Sequence, residues 1–130
     1  MSTLFSSYKL LDLPWLTELT LNERRTMDTV ARSFLNHSTT MIEEIQTALH
    51  QNSVSRLYEA VRKTGPVAAM FTRNDFSYGF LAMSNESDNH LSMYTIQKTN
   101  SIILELETLQ SEVSYYLYYE TGQSKDNHLE

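Results

Sequence analysis

The sequence predicts an all-α protein, namely an antiparallel up-down four-helix bundle with a short extra N-terminal helix. Apolar residues recur at spacings of three and four along long stretches of the chain, which is the period of one helix face. The connections between these stretches are short, as they are between neighbouring helices of a bundle. Only three Gly and two Pro occur in 130 residues, too few for the many turns of an all-β fold.

The N-terminal helix is predicted in "LDLPWLTEL", where Pro14 stands near the helix start and its missing N–H costs nothing. Asn22 is expected to cap a long second helix that continues to about Gln51. Its apolar positions follow steps of three, four and seven, but Ser38 interrupts them with a polar residue. The pattern is typical of a bundle helix with one face toward the core.

The next helix is predicted to begin after Ser53, which can cap it, and to pass through Gly65-Pro66 without a break. Its apolar spacing keeps the same phase on both sides of that pair, whereas a chain break would have reset it. An interior proline costs about 3 kcal/mol, so packing on both sides must hold the second half of this helix. The positions of this apolar stripe are Val54, Leu57, Val61, Thr64, Ala68 and Phe71.

Two further helices complete the bundle. A shorter one is expected after Asn74, and the last is expected to run from near His90 to Tyr119-Glu120, with Gly122 as its stop signal. The chain is therefore divided into a flexible arm at residues 1–10, the helical bundle at 11–121 and a disordered tail at 122–130. This length fits a single domain.

Composition excludes several classes of function. A net charge of −6 and a pI near 5.1 argue against binding to nucleic acid. No apolar run approaches the ~20 residues that span a bilayer. The chain has no cysteine, which rules out disulfides, thiolate nucleophiles and Cys-based zinc sites. We expect a cytoplasmic protein, although a nuclear or a cysteine-free secreted protein would have the same composition.

The residues offer little for catalysis. The four histidines, His37, His50, His90 and His128, do not form a metal-binding pattern, so no metal and no cofactor is expected. Neighbouring carboxylates such as Glu43-Glu44 are interpreted as solvated helix faces. The cluster "YYLYYE" at 115–120 has two interpretations: packing against the N-terminal helix around Trp15, or an interaction surface formed by Tyr115, Tyr118 and Tyr119.

Three stretches carry a resemblance to a known family. These are "YKLLDLPWLTEL", "ARSFLNHSTTMIEEIQTALHQN" and "LYEAVRKTGPVAAMF". In order, length and spacing they resemble the histidine-containing phosphotransfer (HPt) domains of bacterial two-component signalling, over the range from Tyr8 to Glu86. The motif of that family reads A-H-K-x-K-P-S-x-x-M-F-G-L, and its histidine accepts the phosphoryl group.

The resemblance fails at the acceptor itself. Alignment on Pro66 places Arg62 where the family has its phosphorylated histidine, with Lys63 matching the next lysine and Gly65 replacing a second lysine. Alignment on Gly65 would place Val61 there instead. Val61 belongs to the apolar stripe, whereas Arg62 lies about 100° further around the helix and should be exposed. We therefore prefer the alignment that assigns the acceptor position to Arg62.

The resemblance implies a non-catalytic HPt-like domain, not an enzyme, that binds a response-regulator receiver domain or a histidine kinase and modulates a phosphorelay. Arg62, Lys63, Gly65, Pro66 and Ala69 would dock the partner. Two alternatives stay open. One is a structural or protein-interaction bundle unrelated to phosphotransfer, and the other is an active phosphotransferase that uses another histidine, His37 or His50. The sequence leaves the oligomeric state open.

Overall fold

The computed structural model describes residues 8–72 and 91–121, and every regular element in these two ranges is a helix. The helix predicted after Asn74 lies outside the described residues, as do His90, His128 and the tail at 122–130. The elements are α1 (Leu13–Leu19), α2 (Arg24–His50), α3 (Val54–Ala68), α4 (Met93–Tyr115) and a π-helical turn (Tyr116–Thr121). Helix α2 packs against both α3 and α4. No described helix combines the length and apolarity needed to cross a membrane.

Helix α1 begins at Leu13, and the side chain of Asp12 caps it by accepting a hydrogen bond from the Trp15 N–H (3.0 Å). The start of α2 differs from the prediction. Asn22 does not cap it: Leu21 and Asn22 both have positive φ angles, 55° and 61°, and form the turn between α1 and α2. Glu23 occupies the cap position without a side-chain hydrogen bond. The prediction failed because Asn also favours the left-handed conformation of tight turns.

The polar interruption in α2 is buried and paired. Ser38 is 2% exposed, and its hydroxyl oxygen accepts a hydrogen bond from the Gln110 side-chain amide of α4 (2.7 Å). The same amide lies 3.1 Å from the Thr39 hydroxyl. A buried hydroxyl without a partner would destabilise the fold, so Gln110 explains how serine is tolerated among the apolar residues of α2.

Helix α3 is continuous through Gly65-Pro66, as predicted, and Ser53 caps it by accepting a hydrogen bond from the Arg56 N–H. Helix α4 starts later than predicted, at Met93, with Ser92 as its cap. Its buried stripe also begins differently: Thr95 and Thr99 are buried, whereas Tyr94 is 62% exposed. The hydroxyl of Thr99 donates to the Thr95 carbonyl (2.7 Å), which satisfies that polar group inside the core.

One carboxylate holds the N-terminal segment. Glu112 of α4 accepts hydrogen bonds from the backbone N–H groups of Lys9, Leu10 and Leu11, at 2.6, 2.9 and 2.8 Å. The Tyr8 ring adds an edge contact with Tyr115, with ring centroids 6.2 Å apart. Residues 8–10, predicted as the end of a flexible arm, are thus attached to α4. Residues 1–7 lie outside the described ranges.

Glu105 provides a test of how burial affects stability. Desolvation raises the pKa of its carboxyl above 4.5, and the charge of Lys98 offsets this in part. A raised folded-state pKa means that the protein loses stability as the pH increases through that raised pKa. We therefore expect Glu105→Gln to raise the melting temperature at pH 7, and to give a smaller gain below pH 4.5.

The comparison is a thermal melt of both proteins across pH 3.5–8. Glu107→Gln is the control, because it removes one carboxylate from an exposed position of the same helix. A gain for Glu105→Gln that does not shrink in acid would contradict the desolvation explanation.

Candidate functional site

Four of the five residues predicted to dock a partner are exposed on α3 or at its C-terminal cap, Ala69. Arg62, Lys63, Pro66 and Ala69 are exposed, while Val61 is only 1% exposed. Helix geometry explains the division, because positions 62, 66 and 69 follow steps of four and three along one face. We call Arg62, Lys63, Pro66 and Ala69 the α3 face.

Gly65 does not belong to this face. It was predicted to contact the partner, but the structure buries it, so it cannot form part of an exposed docking surface. A side chain at this position would point toward the interior between α3 and its neighbours. Glycine at 65 therefore fits the packing of α3 rather than the approach of a partner.

Pro66 changes the backbone beside Arg62. In a regular helix the N–H of residue 66 would donate to the carbonyl of residue 62, but proline has no N–H. The Arg62 carbonyl cannot receive that bond. On the α3 face, the backbone carbonyl of Arg62 therefore lacks the N–H donor that residue 66 would supply in a regular helix.

The end of α3 beyond Pro66 is supported by the segment around α1. The Trp15 indole N–H donates to the Ala69 carbonyl (2.8 Å), and the Asp12 N–H donates to the Phe71 carbonyl (2.8 Å). The Phe71 ring is 1% exposed and packs on Phe34 with ring centroids 4.8 Å apart. These contacts hold the helix end in place despite the weakening effect of an interior proline. Sequence analysis did not predict the contact of Trp15 with Ala69.

The two cations of the α3 face have different partners. The Arg62 guanidinium carbon lies 5.9 Å from the centroid of the Tyr58 ring, one turn earlier on the same helix, within cation–π range. The Lys63 Nζ lies 3.6 Å from Glu44 Oε1 on α2. The Lys63 side chain is 65% exposed and the Glu44 side chain is 48% exposed. Among the ion pairs of the described residues, none involves Arg62.

The groove beside this face is balanced in charge. It lies between α2 and α3 and has a volume of about 350 Å³, and its charged lining residues are Glu43, Glu44, Glu59, Arg56 and Lys63. With Arg62, the region holds three cations and three carboxylates. It is therefore not a strong positive patch. Arg62, like Arg56, takes part in no ion pair of the described residues and can contact a partner without breaking one.

The two histidines within the described residues lie outside the aligned motif. His37 and His50 are both exposed on α2, and His37 Nδ1 is engaged with the Ser33 carbonyl (2.8 Å). The aligned motif lies on α3. Within the described residues, no cluster of His, Asp and Glu could hold a metal ion.

The tyrosines form a separate surface at the end of α4. Tyr115, Tyr118 and Tyr119 are 43%, 60% and 55% exposed, and the Tyr115 and Tyr119 rings stack with centroids 4.6 Å apart. Tyr116 is buried, and its hydroxyl donates to Asp28 of α2 (3.3 Å). Tyr115 of the cluster packs on Tyr8 of the N-terminal segment.

Comparisons with known protein families, with characterised proteins and with solved structures find no match for this chain. The HPt resemblance therefore stays a prediction that rests on the quoted motifs.

Proposed function

We propose that this chain is a non-catalytic HPt-like domain that binds a receiver domain or a histidine kinase and modulates a phosphorelay. The proposed fold is an antiparallel up-down four-helix bundle with a short extra N-terminal helix. The short connection between α2 and α3 supports this fold, as does the pairing of Lys63 with Glu44 across the two helices. The proposed setting is the cytoplasm, where such relays operate.

The observation that carries the proposal is the contrast between Val61 and Arg62. Val61 is buried and Arg62 is exposed on the same helix turn. A phosphoryl acceptor must reach the aspartate of its partner, so an acceptor position has to face outward beside the core. Position 62 meets this requirement in the alignment on Pro66, and position 61 does not.

The chemistry of arginine supports a binding role without transfer. A neutral imidazole nitrogen has a lone pair that can attack phosphorus near neutral pH. A guanidinium keeps its proton near neutral pH and offers hydrogen-bond donors only. Arg62 therefore cannot accept a phosphoryl group, but it can donate to the carboxylates that line a receiver's active site.

Lys63 can also contact the receiver's carboxylates, and giving up its own ion pair would cost little stability. Its ion pair with Glu44 lies at the surface, and exposed pairs of this kind contribute about 0–1 kcal/mol. A partner that supplies a second carboxylate could replace Glu44. The docking charges would then be Arg62 and Lys63, with Pro66 and Ala69 leaving room for the approach.

Reversing the charge at position 62 tests the proposal. Arg62→Glu should weaken binding to a receiver domain at least about tenfold, because a carboxylate would face carboxylates. Binding is measured by calorimetry with purified receiver domains, phosphorylated and unphosphorylated. The matched control is Arg25→Glu, the same charge change at an exposed position of α2, which should bind like the original protein.

A second candidate is a protein-interaction bundle that uses the tyrosine surface. It is favoured by the exposure of Tyr115, Tyr118 and Tyr119, because tyrosine is enriched at protein interfaces. Binding that survives Arg62→Glu but is lost on Tyr118→Ala would support this candidate and refute docking through the α3 face. Acid-labile phosphoryl label on the unaltered protein would refute both.

A further inference from the structure

We propose that residues 8–12, the N-terminal strap, couple the end of α4 to the end of α3. The strap has no regular secondary structure. When it is closed on Glu112 of α4, it positions the last turn of α3 and therefore Ala69 of the α3 face. This coupling depends on contacts within the chain and does not require the function proposed above.

Four consecutive N–H groups of the strap donate to two different helix ends. Those of residues 9–11 donate to the Glu112 carboxylate, and the next one, from Asp12, donates to the Phe71 carbonyl just after α3 (2.8 Å). Residues 11 and 12 are neighbours in the chain, so a strap that leaves Glu112 also disturbs the hydrogen bond to Phe71. The backbone itself thus connects the two ends.

Glu112 supplies three of these four hydrogen bonds. Its Oε2 atom accepts from Lys9 (2.6 Å), and its Oε1 atom accepts from Leu10 and Leu11 (2.9 and 2.8 Å). Hydrogen bonds to an ionised carboxylate are stronger than those between neutral groups. A single side chain of α4 therefore determines whether this part of the strap stays closed.

Asp12 connects the strap to the α3 face. Its side chain caps α1 by accepting from the Trp15 N–H (3.0 Å), and the Trp15 indole donates to the Ala69 carbonyl (2.8 Å). Helix α1 has only seven residues, too few to be stable in water without a cap and packing. Displacement of Asp12 therefore weakens α1 and, through the indole, the hold on Ala69.

The end of α3 needs this outside support because proline weakens it. Pro66 has no N–H, so one hydrogen bond of the helix is absent. The amides of residues 69–72 form the last turn by donating to the carbonyls of residues 65, 67 and 68, at 2.9–3.2 Å. Segments held by few contacts open before the rest of a folded protein. We therefore expect the strap and the last turn of α3 to open together.

The other end of the strap lies at the tyrosine surface. The Tyr8 ring makes its edge contact with Tyr115, which follows Glu112 by three residues on α4. A molecule that binds the tyrosine surface and displaces Tyr8 would open the strap and loosen the α3 face. Because coupling between two sites is reciprocal, a ligand that orders the end of α3 would favour the closed strap.

Glu112→Ala in the full chain tests the coupling, and two signals report it. Trp15 is the only tryptophan, so its emission should shift to longer wavelength as the indole leaves Ala69. Hydrogen exchange followed by NMR should be at least about tenfold faster at the amides of residues 69–72. The amides of residues 52 and 53 lie at the opposite end of α3 and should exchange as in the original protein.

Glu107→Ala is the matched control, because it makes the same change at an exposed glutamate of α4, and it should leave both signals unchanged. Glu112→Gln keeps one side-chain oxygen and should give intermediate effects; it also serves as the test variant if Glu112→Ala does not fold. Faster exchange confined to residues 9–11, with the amides of residues 69–72 unaffected, would overturn the proposal. Equal acceleration at residues 52 and 53 would also overturn it, since it would show a general loss of stability.

Discussion

Arg62→His is expected to turn the protein into a phosphoryl acceptor. Mixed with a receiver phosphorylated on aspartate, this variant should gain acid-labile label, whereas the original protein gains none. The imidazole nitrogen would attack phosphorus, the bond from phosphorus to the aspartate oxygen would break, and the free carboxylate would leave. No other reactant is needed. The expectation follows from the exposure of position 62 and from the lone pair that arginine lacks.

The matched control is Arg62→Gln, which removes the same charge without supplying a nucleophile and should stay unlabelled. Transfer is followed by autoradiography after acid and base treatment, since phosphohistidine survives only the latter. A histidine variant that binds the receiver but takes no label would contradict the assignment of position 62. Label on the unaltered protein would point instead to His37 or His50 as the acceptor.

Pro66→Ala is expected to stabilise the protein by about 2 kcal/mol. Alanine restores the N–H that can donate to the Arg62 carbonyl, which removes a penalty of about 3 kcal/mol for an interior helix proline. Alanine also makes the unfolded chain more flexible, which reduces the gain by up to about 1 kcal/mol. Pro66 is exposed, so little packing is lost.

Pro14 provides the control, because the chain has only these two prolines. Pro14 lies in the first turn of α1, where the N–H would have no helical acceptor. Pro14→Ala should therefore give no stabilisation. The measurement is urea unfolding of the three proteins. Equal effects at both positions would show that the position of Pro66 within α3 does not matter for stability.

These two predictions address the same feature of the α3 face. A proline that weakens its own helix is retained beside an exposed arginine, and contacts of Trp15 and Asp12 with the end of α3 hold the helix together. If Pro66→Ala both stabilises the protein and weakens receiver binding, the proline serves the partner rather than the fold. This combination would be a trade of stability for function.

Local signals predicted the course of the described helices better than their starts. The spacing of apolar residues predicted α3 through Gly65-Pro66, and Ser53 was correctly identified as its cap. The start of α2 was wrong, since Asn22 fits a left-handed turn as well as a cap. The start of α4 also differs from the prediction, since the helix begins at Met93 rather than near His90.

The amino-acid sequence by itself determined the helical class, the course of α3 and the outward direction of Arg62, since each depends on residues within a turn or two of one another. Only the tertiary structure decided which distant groups meet. Gln110 reaches Ser38 across 72 positions, Glu112 binds residues 9–11 across about 100, and the Trp15 indole reaches Ala69 across 54. Helical periodicity tells which side of a helix is buried, but not which polar group will lie opposite, because that depends on how whole helices pack.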